Sequence, residues 1–207
     1  MKKTNIPRYK TPRKRKKRIP GESPGIFVVS ETALSSKIHV YVYDSENIVT
    51  KEFSDIHNAY SFITQNPGKF YWIDIQGLGT QDVLNSVKEK FGINALVMED
   101  MVNTHQRPKF EEFDDYIFVV TRVLDLDENL SLKNEQLSMI LNQNTLVTFQ
   151  EDYEDILNPV RNRLINRKQT SIRNLGPSYL LYAIMDIATD QNFNLINRLG
   201  DELEMVE

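Results

Sequence analysis

The chain has 207 residues, 40% hydrophobic and 26% charged, which suits one domain or one plus an appendage and excludes a collagen-like or wholly disordered polymer. Cysteine is absent, so disulfides, thiolate metal sites and a cysteine nucleophile are excluded. The net charge of −4 hides an asymmetry: ten basic residues fall between Lys2 and Arg18, and the remaining 15 basic against 29 acidic residues carry −14, a surface suited to cations and ill suited to nucleic acid.

Residues 1–20 combine Lys and Arg with Pro7, Pro12 and Pro20. So little apolar surface cannot offset the entropy of ordering, and a disordered basic tail is expected. No apolar run follows it, so it is not a secretory signal. Nucleic-acid phosphates, anionic lipid or plain solvation would each suit its charge, and of these solvation asks least.

From Gly25 the pattern turns to strands. Ile26–Val29 reads as a short β run, followed by Ile38–Tyr43, a turn at 44–47 and Ile48–Phe53. Ile56, Tyr60 and Ile63 fall at helical spacing until Asn66-Pro-Gly68 stops them. Phe70–Ile75 is the strongest central strand. Gly77-Leu-Gly79 turns out of it, and Thr80 caps a helix with Val83, Leu84 and Val87 facing inward. A helix over 93–102 and a loop over 103–109 come next. Strands at Tyr116–Leu124, Glu135–Leu141 and Thr145–Gln150 then read as an antiparallel meander, and Asp155–Arg167 as a helix whose first turn tolerates Pro159. Alternating strands and helices suggest an α/β layered domain.

The last helix starts after Gly176-Pro177 and runs to the final residue. Leu180, Ile184, Ile187, Leu195, Leu199, Leu203 and Val206 recur near the 3.6 period, with no stop signal. The helix is therefore expected to continue beyond Glu207. No apolar run reaches the ~18 residues of a membrane span: the longest, Tyr179–Met185, meets Asp186.

Familiar catalytic signatures fail. Gly77-Leu-Gly-Thr-Gln-Asp82 has Asp where a dinucleotide fingerprint needs its third glycine, and Gly68-Lys69 lacks the first glycine of a phosphate loop. His39, His57 and His105 are scattered without zinc-ligand spacing; His105 and Trp72 read as structural. Nothing points to an enzyme. What stands out is carboxylate placement. Glu99 and Asp100 are adjacent in an apolar segment, and Asp186 and Asp190 share one helix face, where like charges repel unless a cation lies between them. Hard oxygen donors without Cys or His suit Mg²⁺ or Ca²⁺. A solvated face is the plainer alternative, with Arg107 or Lys109 pairing the first acids and Arg198 or Arg173 the second.

Leu96–Lys109, with its Glu99-Asp100 and His105-Gln-Arg-Pro-Lys109, closely resembles the CorA family of magnesium channels. So do Tyr71–Ile75, Glu135–Ser138, Phe149–Glu151, Asn158–Arg161 and Tyr179–Asp186, in the family's order and across roughly residues 21–207. The resemblance implies a three-layer α/β/α sandwich with a mixed sheet over 21–176, followed from 177 by the start of a long stalk helix cut before two membrane helices. It implies a homopentamer at the cytoplasmic face of the cell membrane, with no nucleic-acid partner. It further implies a sensor domain whose Mg²⁺, or Co²⁺ or Ca²⁺ in its place, sits between subunits and gates transport of Mg²⁺, Co²⁺ or Ni²⁺. Asp100 matches the first such site, Glu99 and Asp186 the second, and Asp190 its periphery. A zinc transporter of the ZntB type shares this architecture and is the alternative. A nucleic-acid module using the basic tail is a more distant one.

Overall fold

A computed structural model describes residues 27–126, 131–168 and 170–204. The basic tail, the final residues and the centre of the 125–129 turn therefore lie outside the described residues. Seven strands form one sheet: β1 (Lys37–Tyr43), β2 (Ile48–Phe53), β3 (Phe70–Gln76), β4 (Lys109–Glu112), β5 (Ile117–Leu126), β6 (Leu132–Asn142) and β7 (Thr145–Gln150). Their order is β2-β1-β3-β7-β6-β5-β4. Only the β3–β7 pair is parallel, so the sheet is mixed, as expected.

Each strand alternates two sets of side chains across the sheet, and the helices divide between them. Ile38, Val40, Ile73 and Phe118 pack under α1 (Ile56–Thr64), α2 (Gln81–Phe91) and α3 (Ala95–Val102). Tyr41, Trp72, Leu137 and Leu146 pack under α4 (Asn158–Asn166) and α5 (Ser171–Glu204). Helices on both faces of one sheet make the three-layer α/β/α sandwich. The meander β5–β6–β7 is present in the expected order.

Three expectations need correction. Phe27–Val29 is not a strand: the Gln81 side chain donates to the Phe27 carbonyl and accepts from the Val29 N–H, taking the place of a neighbouring strand. The stretch after the 103–108 loop does contain one, β4, paired along β5 and so short that its Phe-Glu-Glu alternation gives no signal. Thr80 stands at the N-cap of α2 without capping it; its hydroxyl accepts from the Ser36 N–H at 2.9 Å. Boundaries also move. The strand read from Tyr116 to Leu124 runs Ile117–Leu126, and helix α4 starts at Asn158 with Pro159 in its first turn.

Helix α5 begins five residues earlier than Gly176, at Ser171, but breaks there: Gly176 has φ +70, and a Cβ on it would lie 2.8 Å from the Phe70 ring. The segment after Pro177 is the long C-terminal helix the periodicity indicates. Leu180, Ile184 and Leu195 are buried, and Leu199 is half-buried. Val206 lies outside the described residues.

Beyond the short β4, the edge of β5 would be bare. Asn192 of α5 covers it, accepting from the Leu124 N–H at 2.9 Å and donating to the Arg122 carbonyl at 3.1 Å. A side-chain amide thus replaces a missing strand and ties α5 to the sheet.

Candidate functional site

Helix α3 buries Val97, Met98 and Met101 against the sheet, which leaves Glu99 and Asp100 on its half-exposed side. The end of this helix is held by Gln136 of β6, itself 2% exposed. Its amide donates to the Asp100 and Met101 carbonyls at 3.0 and 3.3 Å and accepts from the Gln106 N–H at 3.1 Å. The last-turn carbonyls of a helix lack intrahelical partners, and Gln136 supplies one.

Both oxygens of the Asp100 carboxylate are engaged within the chain. Gln106 Nε2 donates to Oδ1 at 2.8 Å and Lys109 Nζ to Oδ2 at 2.6 Å. Lys109 also reaches Glu111 Oε1 at 3.0 Å and lies over the Phe118 ring. Burial pushes the Lys109 ammonium down, but its hydrogen bonds to Asp100 and Glu111 outweigh that and hold it above the ordinary lysine range. Of the two partners considered for the first acid pair, Lys109 is the one found on Asp100.

Asp186 and Asp190 are exposed on α5. Arg173 does not serve them: it is 1% exposed and donates to the backbone carbonyls of Leu164, Ile165 and Glu46. Among the described residues neither aspartate has an ion pair. Exposed Tyr182, Phe193 and Ile196 lie four residues before and seven and ten residues after Asp186, on the same side of the helix. Helices α3 and α5 belong to opposite layers, so the fold does not gather the four acids into one cluster. As donors all four fit a hard dication: carboxylate oxygens, accessible to solvent, with no thiolate or imidazole ligand among them.

Residues 67–207 match the family model described as CorA-like Mg2+ transporter protein. The chain is 37% identical over 172 residues to the cobalt/magnesium transport protein CorA of Thermotoga maritima, covering 83% of this chain and 48% of that protein. The chain belongs to the CorA family. Its fold is similar to the soluble domain of CorA from Methanocaldococcus jannaschii, with TM-score 0.60 and 20% identity over 87% of this chain and 64% of that one. It is also similar to the ZntB cytoplasmic domain from Vibrio parahaemolyticus, with TM-score 0.60 and 13% identity over 84% and 66%. The chain spans about half the length of the Thermotoga protein. Among the described residues no helix is long and apolar enough to cross a membrane.

A second acidic group in this CorA-family chain escapes sequence reading. Glu135 of β6 and Asp152 and Glu154 after β7 bring carboxylate oxygens within 4.8 Å of one another, at the edge of a cleft of about 530 Å³ lined also by Leu34, Leu78 and His105. The cluster arises because β6 and β7 pair antiparallel, with Leu137 opposite Gln150, which sets Glu135 beside the chain leaving β7. The signal in the sequence was the acidic run 151–155 directly after one strand, with Glu135 on the strand before it. Lys133 pairs with Glu154 at 2.5 Å, and Glu151 accepts from the Gln136 N–H at 2.6 Å. Oxygen Oε2 of Glu135 is buried without a partner.

Burial first, then the hydrogen bond and charge of Asp152, pushes the Glu135 carboxyl up to about 9 from its ordinary 4.5. The folded chain therefore keeps a proton that the unfolded chain releases. That contribution to stability is complete below about 4.5 and fades as pH rises towards about 9. Glu135→Gln, which needs no proton, should gain about 1–2 kcal/mol over the parent at pH 8.5 and little at pH 5. Urea titrations at the two pH values check it; an equal effect at both would mean Glu135 is ionised in the fold.

Proposed function

We propose that this chain is the cytoplasmic sensor portion of a CorA-type channel for Mg²⁺ and related dications. In this reading Glu99 and Asp100 of one copy face Asp186 and Asp190 of its neighbour, or further acids, in a homopentamer. The membrane helices belong to the remainder of the protein. The observation that carries the reading is the separation of the acids. Two pairs of accessible carboxylates lie on opposite layers of one chain, so a site using both draws on two copies. The exposed aromatic and aliphatic side chains flanking Asp186 support burial of that helix face against other protein.

The chemistry follows from like charges. Carboxylates of adjacent copies repel at close approach, and they hold a divalent cation between them when it is abundant. Oxygen ligands with water completing the shell suit Mg²⁺, which dehydrates reluctantly. When free Mg²⁺ falls, no dication bridges the acids of adjacent copies, and the closed arrangement loses its advantage. That is regulation by differential affinity for two states. Zn²⁺ transport has only the fold likeness to ZntB in its favour.

In the intact protein, Mg²⁺ should protect against protease, and Asp186→Asn should raise the Mg²⁺ midpoint of protection by about tenfold, the equivalent of ~1.4 kcal/mol. A midpoint unmoved by both Asp186→Asn and Asp100→Asn would overturn the sensor reading.

A further inference from the structure

Asp100 already has a cation. Its Oδ2 accepts from Lys109 Nζ at 2.6 Å, and the same ammonium lies 3.0 Å from Glu111 Oε1. We infer that Lys109 is a built-in competitor of the dication at Asp100, shared between Asp100 and Glu111 when the metal is absent and left to Glu111 alone when it binds. The inference rests on the sensor reading above and concerns what tunes that site.

The geometry supplies each part of the exchange. Lys109 and Glu111 are two apart on β4, so they stand on the same face of the strand. Register sets that face: Lys109 lies opposite Val120 and Glu111 opposite Phe118 on β5. The Lys109 ammonium lies 5.0 Å from the Phe118 ring centroid, which keeps the aliphatic stem over apolar surface while the head reaches two carboxylates. The Lys109 side chain is 23% exposed, Asp100 28% and Glu111 42%, so the second partner is the more open one. Gln106 donates to the other oxygen of Asp100 and fixes the carboxylate plane whichever cation is present.

Each carboxylate oxygen has two lone-pair directions, and Lys109 and Gln106 use one apiece. A dication can therefore approach Asp100, but an ammonium on the same oxygen repels it. If Lys109 had no other partner, its departure would leave a half-buried ammonium unpaired. Glu111 removes that cost. The pair of acceptors makes the exchange nearly balanced, which sets the cation affinity of Asp100 low enough to respond to changes in free Mg²⁺.

The test uses Mg²⁺-dependent protease protection of the intact protein, a readout that does not need transport. Lys109→Met keeps the apolar stem over Phe118 and removes the charge, and should lower the Mg²⁺ midpoint by about three- to tenfold. Lys109→Gln, a second neutral variant, should do the same, and Lys109→Arg should stay near the parent. Glu111→Gln should raise the midpoint, and this effect should vanish when combined with Lys109→Met, because Glu111 then has no ammonium to receive. Equal midpoints for the parent and both neutral variants, with Asp100→Asn still shifting it, would overturn the exchange and leave the sensor reading standing. Additive effects of Lys109→Met and Glu111→Gln would also overturn it. A midpoint indifferent to Asp100→Asn would remove the site itself, and the exchange with it.

Discussion

Arg161→Met should destabilise the chain by about 3–5 kcal/mol, because it strands a buried carboxylate. Asp74, in the centre of β3, is 0% exposed. Its Oδ2 accepts from Arg161 Nη2 at 2.6 Å, and Oδ1 from Thr148 Oγ1 and Gln150 Nε2 at 2.7 and 2.9 Å. The other arm of the guanidinium pairs with Asp155. The guanidinium also lies over the Trp72 and Tyr41 rings, at 5.5 and 5.7 Å. Removing the cation leaves a charge in the sheet with neutral partners only. Removing both charges leaves none, so Asp74→Asn combined with Arg161→Met should recover at least half the loss. Trp72 is the sole tryptophan and stacks on Tyr41 at 4.7 Å, so its fluorescence reports the melting of this region directly. A loss below about 1 kcal/mol in urea titrations would overturn the reading that Arg161 balances a buried charge on Asp74. The consequence reaches the proposed sensor: Arg161 docks α4 on the sheet, and Val160 and Leu164 of α4 share a core with Leu180 and Ile184 of α5, the helix that carries Asp186.

Much of this architecture is legible in the sequence because burial imposes a period. β3 reads plainly, since Phe70 to Ile75 has to satisfy two helical layers at once, and α2 reads plainly because Val83, Leu84 and Val87 fall on one side. Asp74 and Arg161 each lie in a segment that carries the family resemblance, yet nothing local says that residues 87 apart form one ion pair. The same reason hides the Glu135 cluster: it depends on strand register and on the path of the chain after β7, not on spacing. Glu99 and Asp100 stand out as acids in an apolar segment, but the lysine beside Asp100 reaches it through β4, a strand too short and too charged to announce itself. The Phe27–Val29 error has the opposite origin. Phe27 and Val29 do pack inward, and the Gln81 side chain, not a strand, satisfies the backbone.

The two glycines that failed as a nucleotide fingerprint have a different use, and changing one of them should cost about 3–5 kcal/mol. Gly77 has φ +82, and a Cβ there would lie 2.3 Å from the Ser35 carbonyl oxygen and 2.7 Å from that of Leu34. These are backbone atoms in a segment that cannot retreat. Gly79 N–H donates to the Leu34 carbonyl at 2.7 Å, Ser36 Oγ to the Gly77 carbonyl at 2.8 Å, and Tyr153 Oη to the Ser35 carbonyl at 2.7 Å. Gly77→Ala therefore meets a disfavoured backbone and a collision together. Gly79→Ala meets the collision alone, with Cβ 2.5 Å from the Ala33 carbonyl oxygen and no positive φ. The difference between the two variants in urea titrations should be about 1–2 kcal/mol, the cost of the left-handed conformation for a residue with a Cβ. Two small and equal losses would show that residues 33–36 move aside, and hence that the wall they give the Glu135 cleft is soft. A large loss at Gly77 places that wall among the rigid parts of the fold, held at one end by β3 and at the other by the tyrosine that follows Asp152.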